Sequence, residues 1–349
     1  MAECPPRTVA IVGGGVAGMT LAAALDPERF AVTVYEAAPE RAVYGGAFAV
    51  WPAALRALER IGAREGVESA GHPHPTGALR DITGTTMLTL PSPGMTLVPR
   101  GRLLAVIREH VPSQVQHVRA EVGDPTTLTE DVVIGADGVR SRVRPLVAGG
   151  TARRRSSPFV TLRGMAPGEP PKGQDGEYWG PGFLFGIVPA AGGTYWFSGH
   201  PSAIGPEPLD ATEVARDALT ALPATAAPHL RERLGEVAEK APRGVVATRL
   251  WSAPPLRRYV RGRYVVIGDA GHAMLPNLGR GACEAIIDAV TLAEALRDEE
   301  LLRWQLRRLA PTQAMRIGAA AIMRGATSRR LTPAREAVLS GAGRVTGTR

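Results

Sequence analysis

Short apolar runs closed by glycine alternate along the chain with segments whose apolar positions recur at helical spacing. Thr8–Val12 is a β-branched run, Gly13–Gly18 a turn, Met19–Leu25 helical in composition and Ala31–Tyr35 a second strand. Arg56–Ile61 reads as an amphipathic helix closed by Gly62. From 66 to 98 the chain turns rich in Gly, Pro and Thr, with alternation at Thr86–Leu90. Arg100–Val111 returns to a helix, and Asp131–Ala136 is a buried strand ending in Gly-Ala-Asp-Gly. Strands at Phe159–Arg163, Phe183–Val188 and Thr194–Gly199 are divided by Gly/Pro turns, and a helix is expected at Ala211–Leu222. Arg263–Ile267 is one more buried strand. The remainder of the chain is mainly helical, with 341–349 expected to fray.

This interleaving predicts an α/β protein. A Rossmann-like dinucleotide-binding domain is built from the separated segments 1–65, 99–155 and 256–300, with a β-rich substrate domain from 66–98 and 156–255 inserted and 301–349 as a C-terminal helical segment. The 349 residues suit about two domains at roughly 150 residues each. Apolar content of 44% indicates a globular chain. No apolar run approaches the roughly 18 residues of a membrane span, and no charged-then-apolar leader opens the chain. The expected location is therefore the cytoplasm, with no membrane partner.

Cys4 and Cys283 are the only cysteines, too few for a disulfide framework, a Cys-rich metal site or a Cys-x-x-Cys pair. The net charge of +8 raises the question of nucleic acid. Only Lys172 and Lys240 are lysines, however, and no basic block is interleaved with aromatics. An arginine bias is thus the favoured explanation over a nucleic-acid surface, and basicity also suits anionic cofactors.

The strongest motif is Gly13-Gly-Gly15-Val16-Ala17-Gly18, a Gly-x-Gly-x-x-Gly between a strand and a helix. Gly13 permits the tight turn, Gly15 lets backbone approach a pyrophosphate, and Gly18 allows close packing of helix on strand. The helix N-terminus offers its N–H groups to the anion. Glu36 ends the next strand 18 residues after Gly18, where a carboxylate receives a ribose 2′-hydroxyl. The acid disfavours a 2′-phosphate, so this site is expected to hold FAD or NAD. Taken alone, Asp137-Gly138 reads as a plain turn, and Gly268-Asp269 as either a strand end or a site.

In this order, the three motifs resemble the group A FAD-dependent monooxygenases, the para-hydroxybenzoate hydroxylase-like family. Tyr35-Glu-Ala-Ala-Pro-Glu-Arg41 with Gly45-Gly46 is similar to the family's ribose-to-flavin segment and locally to tetracycline-inactivating flavin monooxygenases. Arg100-Gly-Arg-Leu103 is similar to its Arg-x-x-Leu helix start. The resemblance implies that FAD is held by the Gly13–Gly18 turn with Glu36, Arg41 and Gly46. Arg100 would reach the phosphates, Asp137 brace the pyrophosphate, and Asp269 accept a ribitol hydroxyl. Pro276 would border the ring, while Gly279, Gly281 and Ala282 would face its pyrimidine end. A helix starting near Gly281 would favour the negative charge of reduced flavin by about 0.3–1 kcal/mol.

The activity implied is hydroxylation of an aromatic or polyketide-like small molecule, with NADPH or NADH as transient reductant and oxygen delivered from a flavin C4a-hydroperoxide. Epoxidation or oxygen insertion on a natural product, and a non-redox FAD-binding cyclase or scaffold, are the alternatives. Such chemistry resides in the cofactor, and the sequence names no catalytic base. Trp51, Phe183, Phe185 and Trp196 either line a substrate cavity or fill core. Arg163 either meets a polar substrate group or serves a surface or salt-bridge role. His272 is expected to be structural, Cys283 a packing residue, and His72 and His74 exposed loop histidines.

Overall fold

The structure is a computed structural model that describes residues 5–40, 46–150, 154–240 and 243–345. It contains three sheets. The first is six-stranded, in the order β15-β16-β9-β1-β2-β8. It comprises β1 (Arg7–Val12), β2 (Phe30–Tyr35), β8 (Gln116–Val118), β9 (Val132–Gly135), β15 (Val260–Arg261) and β16 (Tyr264–Val266). Pairing is parallel from β16 through β8, with β15 antiparallel at the edge. Its strands are continuous apolar runs because helices cover both faces. Val9, Ala10, Ile11, Val133, Ile134, Val265 and Val266 are wholly buried.

Around this sheet pack α1 (Val16–Ala24), α2 (Pro52–Glu59), α3 (Arg64–Ser69), α4 (Arg100–Glu109), α5 (Arg144–Ala148), the short α8 (Asp269–His272) and α9 (Gly281–Arg297). α1 and α9 lie against each other, and Gly268 sits between them. A Cβ at Gly268 would meet Ala17 Cβ at 3.2 Å and Ala285 Cβ at 3.1 Å.

The second sheet is seven-stranded, in the order β14-β10-β13-β12-β11-β5-β6. It is made of β5 (Thr76–Asp81), β6 (Thr86–Pro91), β10 (Arg155–Ala166), β11 (Gly176–Gly180), β12 (Phe183–Ala190), β13 (Gly193–Pro201) and β14 (Val246–Ser252). One face packs on α6 (Ala211–Ala221) and α7 (Pro228–Lys240). The other is covered in part by α10 (Leu301–Thr327). A small sheet of β3 (Ala47–Val50), β7 (Thr96–Pro99) and β4 (His72–Pro73) joins the segments between the two large sheets.

Two sequence expectations change here. The stretch 66–98 is divided, because β5 and β6 join the large sheet while β4 and β7 pair with β3. The expected frayed tail is helical as far as its described residues go: α11 (Thr332–Val345) continues through 341–345, where Gly343 packs so closely on β6 that a Cβ would stand 2.4 Å from Met87 O. Residues 346–349 lie outside the described residues.

Candidate functional site

The glycine turn is built as its spacing demands. Gly13 has φ +107°, and a Cβ there would stand 2.4 Å from Ala136 O. A Cβ at Gly18 would lie 1.9 Å from Gly13 O, whereas above Gly15 there is nothing within 4 Å. The turn therefore leaves open space in front of the α1 N-terminus, with Val16 and Ala17 in its first turn. Gly18→Ala is expected to force α1 off the turn, at a cost of about 1–3 kcal/mol. Urea unfolding of the apoprotein measures this, and the variant should also purify depleted in FAD. Glu36 closes the turn from below: Gly14 N donates to its Oε2 at 2.7 Å and Ala38 N to its Oε1 at 2.8 Å. A carboxylate has about four acceptor positions, so ribose hydroxyls can still be received. Arg41 lies outside the described residues.

Asp137 abuts this turn, its Cα 3.0 Å from a Cβ built on Gly13. Arg142 N donates to its Oδ2 at 2.6 Å, while its buried Oδ1 has no partner. Burial raises its pKa against those hydrogen bonds.

Asp269 starts α8 beyond Gly268, whose φ is +56°. Its surface is exposed, yet protein atoms crowd round the carboxyl and hold its pKa up, opposed by His272 and Arg100. Both observations fit a group on the floor of a cleft. A Cβ at Gly281, the first residue of α9, would be 4.0 Å from Asp269 Oδ1. The N-terminus of α9, with Ala282 in its first turn, thus comes down beside Asp269. Between them Pro276 opens a short 3-10 turn (Pro276–Leu278) and stands exposed, and Gly279 follows at φ +58°. Across from Gly279 stand Ala49 Cβ at 3.4 Å and Trp51 Nε1 at 3.9 Å from a built Cβ. Trp51 Nε1 is buried without a partner. Cys283 pins these elements: its Sγ donates to Ala49 O at 3.1 Å and receives Trp51 N at 3.4 Å. Burial pushes that thiol up to about 11, as befits a packing group.

A third set of contacts brings the sheets together. Arg100 N donates to Gly46 O at 2.9 Å. Gly46, at φ +103°, leaves room for Tyr195 from β13, whose Cε2 would be 2.5 Å from a Cβ there. The Arg100 guanidinium lies 5.5 Å from the Phe48 ring centroid. Its pKa is lowered by burial and by Arg163, with Asp269 acting the other way. Gly46, Arg100, Arg163, Tyr195 and Asp269 therefore surround one seam between the six- and seven-stranded sheets.

Strand parity sorts the substrate-lining candidates. Arg163 pairs with Phe197, and Phe197 with Gly186, which pairs with Glu177. Paired residues share a face, so this row lies on the side of Tyr195, toward the seam. Phe183, Phe185 and Trp196 have the opposite parity. They are at most 2% exposed and pack with Val214, Leu230 and Leu234 of α6 and α7. Of the two roles open to them in the sequence, these three fill core. Arg163 faces the seam with Nε buried and unpartnered, donating from NH2 to Thr248 Oγ1 at 3.2 Å. Among the described residues it forms no ion pair.

His272 is wholly buried, and its Nε2 lies 2.6 Å from Asp288 Oδ2. That same oxygen accepts Gly268 N at 3.0 Å, and Asp288 Oδ1 accepts Arg308 Nε at 2.6 Å. Arg308 also donates to Glu284 Oε2 at 2.6 Å. The histidine thus belongs to an ionic brace under the Asp269 loop. His72 and His74, expected as exposed, are half-buried: His72 lies in β4, its Nδ1 unpartnered, and burial lowers His74.

The residues fit FAD. Open space lies over Gly15 at the α1 N-terminus, beside the unpartnered Asp137 Oδ1, while Gly46 and Gly279 at positive φ and the unpartnered Trp51 Nε1 stand toward the α9 N-terminus. Among the described residues no group of His, Cys, Asp or Glu forms a metal site.

Comparison with known proteins agrees. A model described as an NAD(P)-binding Rossmann-like domain matches residues 11–48, and one for an FAD binding domain matches 215–301. Aurachin C monooxygenase/isomerase from Stigmatella aurantiaca is 31% identical over 337 residues, covering 89% of this chain and 85% of its own. The chain belongs to the family of FAD-dependent aromatic hydroxylases. An FAD-dependent urate hydroxylase of Klebsiella pneumoniae is 28% identical over 328 residues, covering 85% of this chain and 83% of that protein. The crystal structure of Klebsiella pneumoniae HpxO complexed with FAD and uric acid superposes with a TM-score of 0.82. At 24% identity it covers 96% of this chain and 93% of that one, and shares its fold. This monooxygenase is thus a flavoenzyme with FAD as cofactor and a nicotinamide as reductant. Sequence reasoning did not single out Tyr195 as facing the seam; the available signal was its strand parity, opposite to that of Trp196. It also missed the Asp288–Arg308 brace, which only the packing of α10 on α9 brings together.

Proposed function

We propose that this monooxygenase hydroxylates a small aromatic or polyketide-like molecule bound at the seam, with the six-stranded sheet carrying FAD and the seven-stranded sheet the substrate. The observation that carries this reading is the convergence of Gly46, Arg100, Asp269 and the α9 N-terminus on the Tyr195 face of the large sheet. FAD, when bound, supplies hydride acceptance and oxygen activation. The chain's own groups do the rest. Gly13–Gly18 and Glu36 seat the dinucleotide end, with Arg100 and Asp137 beside its phosphates. Asp269 receives a ribitol hydroxyl, and Pro276, Gly279, Gly281 and Ala282 border the ring. The N–H groups of α9 stabilise negative charge at its edge. Tyr195, Phe197 and Arg163 would border the substrate, and Trp51, next to Gly279, would stand near the ring. Relatives named for urate, 3-amino-4-hydroxybenzoate and 6-hydroxynicotinate support a small aromatic substrate. A cytoplasmic location and a place in natural-product biosynthesis accompany this reading. No helix among the described residues is long and apolar enough to cross a membrane.

Glu177 lies on the same face of the seven-stranded sheet as Tyr195, two strands away on β11. Its carboxyl receives Trp179 Nε1 at 2.6 Å and is pushed by burial to about 7. A carboxyl raised on folding loses stability as pH climbs from its unfolded value of about 4.3 to its folded one. Melting curves of the Glu177→Gln variant should therefore gain on the wild type between those limits.

Substrate-stimulated NAD(P)H oxidation across a panel of hydroxylated aromatics, with isotope-labelled dioxygen, tests the proposal. Label in a hydroxyl group supports it, and oxygen uptake unaffected by every substrate opposes it. A second reading is oxygen insertion with rearrangement, favoured by the relative whose name joins monooxygenase to isomerase. Label retained in a rearranged skeleton distinguishes the two.

A further inference from the structure

α10 has two unlike faces. One is sealed into the molecule through Trp304, Thr312, Ala319 and Met323, each at most 4% exposed. On the other stand Leu302, Leu306 and Ile317, exposed by 69%, 74% and 61%. On an ideal helix these three fall within about 60° of one another, along roughly 22 Å, with Pro311 and Gln313 between Leu306 and Ile317. They form a raised apolar ridge. Arg303 and Arg307 border it and Arg324 continues it, all three exposed. Arg303 pairs with Glu300, whereas Arg307 and Arg324 meet no carboxylate among the described residues. Leu301–Thr327 contains no Asp or Glu at all.

We propose that this face of α10 is a docking surface for an anionic lipid bilayer. Aliphatic side chains standing above a border of arginines match the way a surface helix enters the headgroup boundary, burying its apolar residues while its cations meet lipid phosphates. A second copy of this chain is the poorer occupant. Two α10 faces laid together would oppose arginine to arginine, because Leu301–Thr327 holds no acid and, of the acids just before it, Asp298 is paired with Arg297 and Glu300 with Arg303. The overall charge of +8 acts in the same direction as the ridge. The opposite face of α10 packs on Leu275, with Met274 and Leu278 alongside, in the loop that precedes α9. A bilayer on the ridge would therefore sit about one helix thickness, roughly 10 Å, from that loop.

Co-sedimentation of the FAD-loaded full chain with phosphatidylcholine vesicles, with and without phosphatidylglycerol, tests this. The wild type should partition at least about tenfold more onto the anionic vesicles, and less as salt rises. The triple variant Leu302→Gln, Leu306→Gln, Ile317→Gln should lose that binding while keeping FAD content and melting temperature. The variant Arg303→Gln, Arg307→Gln, Arg324→Gln should lose it as well. Three results would overturn the proposal. One is a wild type that binds neither vesicle. Another is binding that survives loss of the aliphatic side chains, which would reduce it to bulk charge attraction. The last is a wild-type dimer that the aliphatic variant converts to monomer, which would make the ridge a subunit contact.

Discussion

Asp269→Ala is expected to lower FAD affinity by about one to two orders of magnitude while leaving the apoprotein as stable as before. The carboxylate accepts no hydrogen bond from protein among the described residues, and the protein atoms crowded round it already hold its pKa up. Its removal therefore breaks no hydrogen bond in the apoprotein. With FAD in place, the lost partner is a charged hydrogen bond of about 1.5–3 kcal/mol, and each 1.4 kcal/mol is about tenfold in affinity. Titration of apoprotein with FAD by flavin fluorescence, paired with apoprotein melting curves, measures both halves. Unchanged affinity would remove Asp269 from the cofactor site. A collapsed melt would make it a structural residue.

The other large effect is expected one layer deeper. Asp288→Ala should destabilise the fold by about 3–5 kcal/mol, the usual loss when one member of a buried ion pair is deleted. Asp288 is wholly buried and receives His272, Arg308 and the Gly268 N–H together. Burial raises its pKa, but His272, Arg308 and the hydrogen bonds outweigh that and leave it below the ordinary value. A carboxyl lowered on folding contributes its full stability above its unfolded value of about 3.9. That contribution drains away as pH falls through the folded value. The wild type should therefore lose stability in acid more steeply than the alanine variant. Urea unfolding at a series of pH values reads both the size and the slope. Because Gly268 N–H is released as well, FAD affinity should fall with stability, unlike the pattern for Asp269.

The parts of the site legible in the sequence are those where backbone geometry forces a residue type. Gly18 tolerates no Cβ because the chain doubles back onto Gly13 O, and Gly13 none because its φ is +107° and Ala136 closes over it, so a strand–turn–helix pattern with those spacings has few other readings. The Asp269 loop became legible through its order after Gly13–Gly18 and Asp137. The aromatic strands were not legible in the same way. Phe183, Phe185 and Trp196 look as suited to a cavity as to a core, because alternation fixes only that neighbours face opposite ways. Which parity faces the cofactor is decided by the approach of Gly46 to Tyr195, a contact across 149 residues of sequence. The Asp288–Arg308 pair was hidden for a similar reason. A helical Asp and Arg look solvated until α10 is laid across α9. The C-terminal segment was expected to fray as a terminal stretch, yet α11 packs on β6.

The visible spectrum of the purified protein under anaerobic NADH or NADPH tests the central claim most directly. The account predicts a bound flavin that bleaches with one of these reductants, faster when a suitable aromatic is present, and regains its colour when dioxygen is admitted. A protein that takes up no FAD, or holds a flavin that neither reductant bleaches with any aromatic tried, would contradict it.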